Sequence, residues 1–573
     1  MDRILVLDFG GQYAHLIANR LRRLKVLAEI VPGETKAEKL AGAKGLILSG
    51  GPASVYEEGS PQPDPAIFEL KMPILGLCYG HQLIAKYLKG KVTPGSRKEY
   101  GKAELKVNDC TLFEDLSDTE QVWMSHGDLV EEVPEGFEII GSTEDCKIAA
   151  MASDRIFGLQ FHPEVTHTPN GMKILDNFIR MTGCRREWSM HSFLKEKIHE
   201  LSRMEDDIFL LVSGGVDSTV CYALLKKAGC TVKGLHIDNG LLRMDESKEV
   251  LKAMPEIDFF DASEDFLEAL KDVANPEEKR RIIGDKFVHV AEKAMKDMNA
   301  DGWLLAQGTI YPDTIESRGT SHSALIKTHH NRVPLMQELI RQGKVIEPIS
   351  QLYKDEVREL GLKLGLPHSM VWRHPFPGPG LAVRCLCSGH ELEGFKHEDN
   401  ALISRLAAPL KAVIAPVSSV GVQGDARTYR HPAIVYGKAD WEALDSISHL
   451  PNKLGSINRV MYMVSDGEPQ LDLHRAFITK KRLSLLRKVD KFVNSNVKDK
   501  DIWQFPVILI PMGGDYGESI ILRPVMSREA MTATYAKLPL EDMRRLAKEI
   551  QAMGVDCVYY DITTKPPGTI EWE

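Results

Sequence analysis

PILGLCYGHQLIAKYL occupies residues 73–88. A short apolar run meets a turn centred on Cys78 and gives way at once to an amphipathic stretch, HQLIAKYL, with helical spacing. A buried strand feeding a helix through so tight a turn is the building unit of an open α/β sheet. Gly76 and Gly80 flank Cys78, and glycines there let the backbone take the strained angles that push a side chain out of a strand-to-helix elbow. Amides in the first turn of a helix favour an anion in front of them, so Cys78 is placed to attack a carbonyl.

The same alternation runs outward from this stretch. RILVLD, AHLIANRLRRL, VLAEI and GLILSG precede it, so residues 1–190 read as one open α/β domain. A polar, helix-prone bridge, CRREWSMHSFLKEKIHELSRME, puts the boundary near 185–205. A second βα series starts with IFLLV at 208–212 and continues through VKGLHI and WLLA to HPFPGPGL at 374–381, a block that cannot be a helix interior. Residues 205–384 are therefore predicted as a second open, mostly parallel sheet domain. From 385 to 573, AIVY, FPVILI, SIILRPV and CVYYDI alternate with the helical LEDMRRLAKEIQAMG, predicting an α+β domain with an insertion near 433–500.

Composition excludes several classes. The chain has 573 residues, 43% hydrophobic and 27% charged, which suits several globular cores. Its charge of -9 arises from 72 basic and 81 acidic residues mixed along the length, so no broad basic face awaits a nucleic acid. No apolar run reaches the roughly 18 residues that cross a bilayer. Nine scattered cysteines, with Cys385 and Cys387 separated by one residue, fit free thiols in a reducing cytoplasm and no zinc ribbon.

A thiol nucleophile needs a base, and GLQFHPEV supplies His162, with Glu164 to orient the imidazole. LSGGPASV at 48–55 offers the Gly50 and Gly51 amides for the developing oxyanion. Through SGGPASV, GLCYGHQ and GLQFHPEV, in that order and spacing, residues 1–180 resemble the class I glutamine amidotransferases. The resemblance implies a glutamine thioester on Cys78, release of ammonia and hydrolysis to glutamate.

The second domain opens on strand IFLLV and the loop SGGVDS at 213–218, followed by TVCYALLKKAG. Two glycines and two serines at a helix N-terminus form a concave set of N–H and hydroxyl donors for a phosphate chain, without the Gly-Lys-Ser/Thr of a Walker loop. Asp217 beside those phosphates calls for a divalent cation, assigned as Mg2+. With HIDNGLLR, KRRIIGDKF and AQGTIYPDTIES, the loop resembles that of the ATP pyrophosphatases. The resemblance implies ATP binding by Ser213, Gly214, Gly215, Val216, Asp217, Ser218 and Thr219, transfer of AMP to a substrate oxygen and release of pyrophosphate.

The acceptor is read from the last third. RHPFPGPGL at 373–381, SVGVQGDARTY at 419–429 and KPPGTIEWE at 565–573 are similar to motifs of the GMP synthetases. In Lys565 and Glu571 the tail offers a cation for a nucleotide phosphate and an acceptor for a purine N–H. The resemblance implies xanthosine monophosphate (XMP) contacts at Arg280, Arg427, Gln504, Lys565, Ile570 and Glu571, with Arg281 an alternative to Arg280. It also implies a lid at KTHHN, 327–331, and a phosphate contact at Lys354. The expected substrates are glutamine, ATP and XMP, with neither nucleic acid nor membrane as partner, in a monomer or homodimer.

Overall fold

The computed structural model describes every residue except 12, 301, 319–340, 374, 390–397, 424–425, 455, 498, 500 and 528–532, and the backbone alone of 95–98, 100, 315–318, 398, 423, 426–427 and 452–453. KTHHN at 327–331 and the side chain of Arg427 lie outside the described residues. The chain forms two compact units. Met1–His199, Ile310–Ser323 and Gln351–Glu359 make the first; Glu200–Thr309, Ala324–Ser350 and Leu360–Glu573 make the second.

The first unit is built on strands β1 (Arg3–Asp8), β2 (Leu27–Pro32), β3 (Gly45–Leu48), β4 (Ile74–Leu77), β5 (Lys91–Val107), β6 (Thr119–Glu132), β7 (Glu138–Ser142), β8 (Ala150–Ala152) and β9 (Ile156–Leu159). They form one nine-stranded sheet in the order β2-β1-β3-β4-β9-β8-β7-β5-β6. β1 to β4 and β9 pair in parallel. Their central members, GLIL, ILGL and IFGL, are buried at every residue, because helices cover both faces of a parallel sheet. Side-chain alternation divides β1 between two cores: Ile4 and Val6 pack with Ile17, Leu21 and Phe178, whereas Leu5 and Leu7 pack with Leu83 and Ile84.

The predicted α/β class holds, but the expected strand–helix alternation does not extend over residues 91–152. β5 to β8 follow one another with antiparallel pairing and no α-helix among them. Their sequences alternate buried and solvent-facing residues, as TEQVWMSHGDLVEE does along β6, and no continuous apolar run marks them.

Within this unit Arg22 is almost wholly buried. Its guanidinium lies 4.8–5.1 Å from the ring centres of Trp188, Tyr311 and Tyr353 and forms a 2.9 Å ion pair with Glu356, whose other oxygen accepts from Trp188 Nε1 at 2.6 Å. Segments 310–323 and 351–359 thus join the first unit through a desolvated cation–π and ionic cluster.

In the second unit, β10 (Ile208–Leu211), β11 (Val232–Asp238), β12 (Asp258–Asp261), β13 (Leu304–Ala306) and β14 (Val345–Ile346) form an all-parallel sheet, ordered β12-β11-β10-β13-β14. β15 (Lys411–Ile414), β16 (Ser419–Gln423), β17 (Ala426–Tyr436), β18 (Ile457–Met463), β19 (Val507–Ile510) and β20 (Ser519–Leu522) belong to a mixed sheet. A two-stranded ribbon of β21 (Val525–Met526) and β22 (Thr534–Tyr535) follows, and β23 (Val558–Asp561) returns to the sheet between β18 and β20. AIVY, VILI, SIIL and VYYD are its buried centre, as their apolar runs predict.

Removing one partner of the Arg22–Glu356 pair leaves the other charge buried. Arg22→Met is expected to destabilise the first unit by about 3–5 kcal/mol, and Arg22→Met/Glu356→Gln to recover part of that loss. Urea unfolding followed by Trp188 fluorescence measures both.

Candidate active sites

Cys78 occupies the N-cap of the helix Tyr79–Tyr87, immediately after β4, with φ 51° and ψ −102°. A non-glycine residue held in that region is strained, and its neighbours show how the strain is imposed. A Cβ on Gly80 would stand 2.3 Å from the Leu48 carbonyl oxygen, and one on Gly76 2.5 Å from Gly80 itself. The Cys78 amide donates to the Leu159 carbonyl at 2.7 Å, tying the elbow to the end of β9.

β9 lies beside β4 in parallel register, so the chain leaving it carries Gln160, His162 and Glu164 past Cys78. Gln160 Nε2 lies 3.7 Å from the Cys78 sulfur, and the thiol donates to the Ser125 carbonyl at 3.4 Å. His162 Nδ1 donates to Glu164 Oε1 at 2.7 Å, with both side chains buried. Burial pushes the imidazole pKa down, but the Glu164 charge and hydrogen bonds to Cys78 and Glu164 outweigh it and raise the value to about 10. His162 therefore holds a proton at neutral pH. Arg20 Nε donates to the Glu164 carbonyl at 3.0 Å, and the Tyr13 ring meets His162 edge-on at 5.0 Å.

The SGGP loop closes the site from β3. A Cβ on Gly50 would stand 3.2 Å from His162 Cε1 and 3.8 Å from Cys78 Cβ, so the loop backbone lies directly against both groups and a side chain there would crowd the imidazole. The corresponding point on Gly51 faces the Phe9 carbonyl and the Tyr79 ring. The structure thus brings Cys78, His162, Glu164 and Gly50 together. Ser125 and Gln160 went unnoticed in the sequence; the polar SHGD break inside β6 and the glutamine preceding FHPEV are their signals.

In the second unit, Ser213–Ser218 link β10 to the helix Val216–Lys227. Gly214 has φ +82°, and Gly215 caps the helix. The two serines shape the turn: Ser218 Oγ accepts from the Ser213 amide at 3.2 Å, lies 3.1 Å from Ser213 Oγ and donates to the Gly215 carbonyl at 3.2 Å. Gly308, from the AQGTIYP motif, packs so closely that a Cβ there would stand 2.8 Å from the Ser218 amide nitrogen. Thr219 is buried, and Asp217 lies in the first helical turn.

The tail proposed for the acceptor ends in the buried Trp572 and Glu573 and is held by guanidinium groups. Arg384 grips the Glu571 carboxylate with two bonds, at 2.6 and 2.9 Å. Arg523 Nε donates to the Ile570 carbonyl at 3.1 Å, and Arg459 Nη2 to those of Glu571 and Val420 at 2.8 and 2.9 Å. Arg280 and Lys279 reach Glu573, Arg280 through its backbone oxygen and Lys279 through its carboxylate. Arg281 instead pairs with Asp285 and is largely exposed, so of the two adjacent arginines only Arg280 meets the tail.

Gln504 and Lys565 stand on opposite sides of the β21–β22 ribbon, through backbone bridges to Val525 and Ala533 respectively. Lys354 opens the helix Lys354–Lys363 and belongs to the first unit. Arg384, Arg459 and Arg523 were not anticipated. Arg384 follows PGPGLAV directly, but nothing local in the sequence marks the other two.

The glutamine amidotransferase class-I family matches residues 5–181, and the GMP synthase C-terminal domain family matches residues 491–572. A probable glutamine-hydrolysing GMP synthase from Leptospira interrogans is 45% identical over all of this chain and 99% of its own length. Glutamine-hydrolysing GMP synthases from Carboxydothermus hydrogenoformans and Thermus thermophilus are each 39% identical across the full length of both chains. The chain belongs to the glutamine-hydrolysing GMP synthases. As a GMP synthase it is a ligase with glutamine as amido donor and ATP as co-substrate, acting on small molecules in purine nucleotide biosynthesis. Among the described residues of this GMP synthase, no helix is long and apolar enough to cross a membrane.

If the His162 imidazolium delivers the proton to departing ammonia, glutaminase kcat/KM falls as pH rises through about 10. Glu164→Gln removes the leading influence that raises the pKa and leaves burial, which lowers it, so the fall is expected to move towards neutral pH. Initial rates of glutamate release across pH measure the displacement.

Proposed function

We propose that Cys78, His162 and Glu164 hydrolyse glutamine, and that the Ser213–Thr219 loop then binds the ATP that adenylylates XMP. The observation that carries the first half is the juxtaposition of the strained Cys78 elbow with the His162–Glu164 pair and the bare Gly50 backbone. Cys78 attacks the glutamine carboxamide as the thiolate, its proton being the one that the His162 imidazolium carries, and the Gly50 and Gly51 amides, with that of Tyr79 at the helix start, supply donors for the tetrahedral oxyanion. His162 gives its proton to the nitrogen as ammonia leaves. It then takes one from the water that cleaves the thioester to glutamate.

At the second site, the XMP C2 oxygen bonds to the α-phosphorus of ATP while the bond to the β-phosphate oxygen breaks and its electron pair leaves with pyrophosphate. Ammonia adds at C2, AMP departs with the oxygen, and the nitrogen loses its surplus proton to give GMP. Ser213, Gly214, Gly215, Val216, Asp217, Ser218 and Thr219 line the phosphates in this reading. Arg280, Arg427, Gln504, Lys565, Ile570 and Glu571 hold XMP.

Among the described residues no group of three or more His, Cys, Asp or Glu side chains is arranged to hold a metal. Mg2+ commonly needs only one or two carboxylates when phosphates and water complete its shell. Asp217, a single carboxylate in the first turn beyond a set of phosphate donors, fits that mode. When bound, Mg2+ would neutralise phosphate charge there.

The nine free thiols support a reducing compartment, the cytoplasm. The oligomeric state is proposed as monomer or homodimer.

Cys78→Ala is expected to abolish synthesis from glutamine and leave synthesis from high ammonium largely intact. Equal loss of both activities, assayed as GMP formed, would sink the two-site reading. Asp217→Asn keeps the side chain's shape and removes its charge. Exchange of labelled pyrophosphate into ATP should fall by roughly 100- to 1,000-fold, the range seen when one charge-stabilising group is lost.

A further inference from the structure

The pyrophosphate loop contains two glycines, two serines and an aspartate but no cation of its own. A triphosphate that loses pyrophosphate gathers negative charge on its β and γ phosphates, and loops of this kind work with a positive group aimed at that charge. Arg373 is a cationic side chain that touches the loop backbone.

Its guanidinium lies over Gly214: Nη1 is 3.5 Å from the Gly214 carbonyl oxygen and would be 3.7 Å from a Cβ built on that glycine. Nη2 forms a 2.9 Å ion pair with Glu246. The side chain of Glu246 is nearly inaccessible, whereas that of Arg373 keeps 20% of its surface exposed, so one edge of the fork is anchored inside the protein while the other borders the loop. Glu246 is fixed in turn, because its second oxygen accepts from the Arg243 amide at 2.8 Å.

The backbone that carries Arg373 is also clamped. Three residues on, the Phe376 ring stacks between Arg243 and Arg384, 4.4 and 5.1 Å from their guanidinium carbons. The Leu381 amide donates to the Leu241 carbonyl at 2.7 Å, and Gly380, at φ +64°, abuts the same carbonyl so tightly that a Cβ would stand 2.4 Å from it. The contacts of Phe376, Gly380 and Leu381 thus hold the segment that follows Arg373 in place.

We propose that Arg373 is a catalytic residue of the adenylylation step, its guanidinium contacting the β and γ phosphates of ATP and stabilising the pyrophosphate as it leaves. The inference rests on the reading of Ser213–Thr219 as the phosphate site. The bonds made and broken are those of the adenylylation above; the arginine neither gains nor loses a proton, since its guanidinium stays charged throughout.

The test is product inhibition of ammonium-dependent GMP synthesis by the full chain, with Mg2+-pyrophosphate and AMP as separate inhibitors. Arg373→Gln is expected to lower kcat by about 100- to 1,000-fold. It should also weaken pyrophosphate inhibition at least about tenfold, the cost of roughly one charge-assisted hydrogen bond, and leave AMP inhibition unchanged. Arg373→Lys, which keeps the charge and loses the fork, should fall between Arg373→Gln and wild type, and carries the test if Arg373→Gln does not fold. Glu246→Gln, which loosens the tether but keeps the guanidinium, should lower kcat and weaken pyrophosphate inhibition together, each by less than Arg373→Gln does. Overturning results are unchanged pyrophosphate inhibition in both Arg373 variants, or pyrophosphate and AMP inhibition weakened equally, which marks a merely structural arginine. If pyrophosphate does not compete with ATP even in the wild-type enzyme, the phosphate-loop reading itself fails, and this proposal with it.

Discussion

Parallel pairing is the constraint from which both candidate sites follow. A parallel strand must return through a crossover, so each strand ends on the same edge as its neighbours and each following helix begins there. In the first unit, β3, β4 and β9 deliver the SGGP loop, Cys78 and His162 to one edge. In the second, β10 and β13 bring SGGVDS and the AQGTIYP segment together, so that Gly308 meets Ser218. Residues distant in sequence become neighbours because helix N-termini gather where the strands stop. Those N-termini favour anions, which suits the oxyanion and the phosphate proposed for the two sites.

A second constraint concerns buried charge. Arg459 and Arg523 lie in the core beside a single carboxylate, Asp561, at 3.0 and 2.7 Å, and Trp572 Nε1 donates to the same carboxylate at 2.9 Å. Burial, with the neighbouring Arg523 charge, pushes the Arg459 pKa down to about 9. Arg459 Nη2 also donates to the carbonyls of Glu571 and Val420, and Arg523 to those of Ile570 and Thr563. These bonds favour one path for the tail, since another would cost the buried guanidinium groups acceptors that they hold here. Arg384 adds the carboxylate of Glu571 to the same fixed frame. The acceptor side is therefore shaped by arginines behind the tail as much as by the residues expected to touch XMP.

Local sequence determined what local physics governs. The strand–turn–helix stretches at 73–88 and 208–229 have one reading each, because a short apolar run, flanking glycines and a helical repeat agree with one another. Cys78, His162, Glu164, Gly50 and the SGGVDS loop were legible for that reason: each lies within a few residues of a strand end. β5 to β8 were harder to read because alternating, half-polar strands carry no continuous apolar signal. Tertiary structure alone decided the matters that turn on distance through space. It set Arg280, rather than the adjacent Arg281, against the tail, because α-helical geometry turns successive side chains by about 100°. It placed Arg384 on Glu571, 187 residues apart in the chain, and Arg373 over Gly214, 159 apart. No spacing in the sequence encodes those pairings, since an ion pair depends on where two backbones are brought together and a charged residue looks the same in sequence whether it meets solvent or a buried partner.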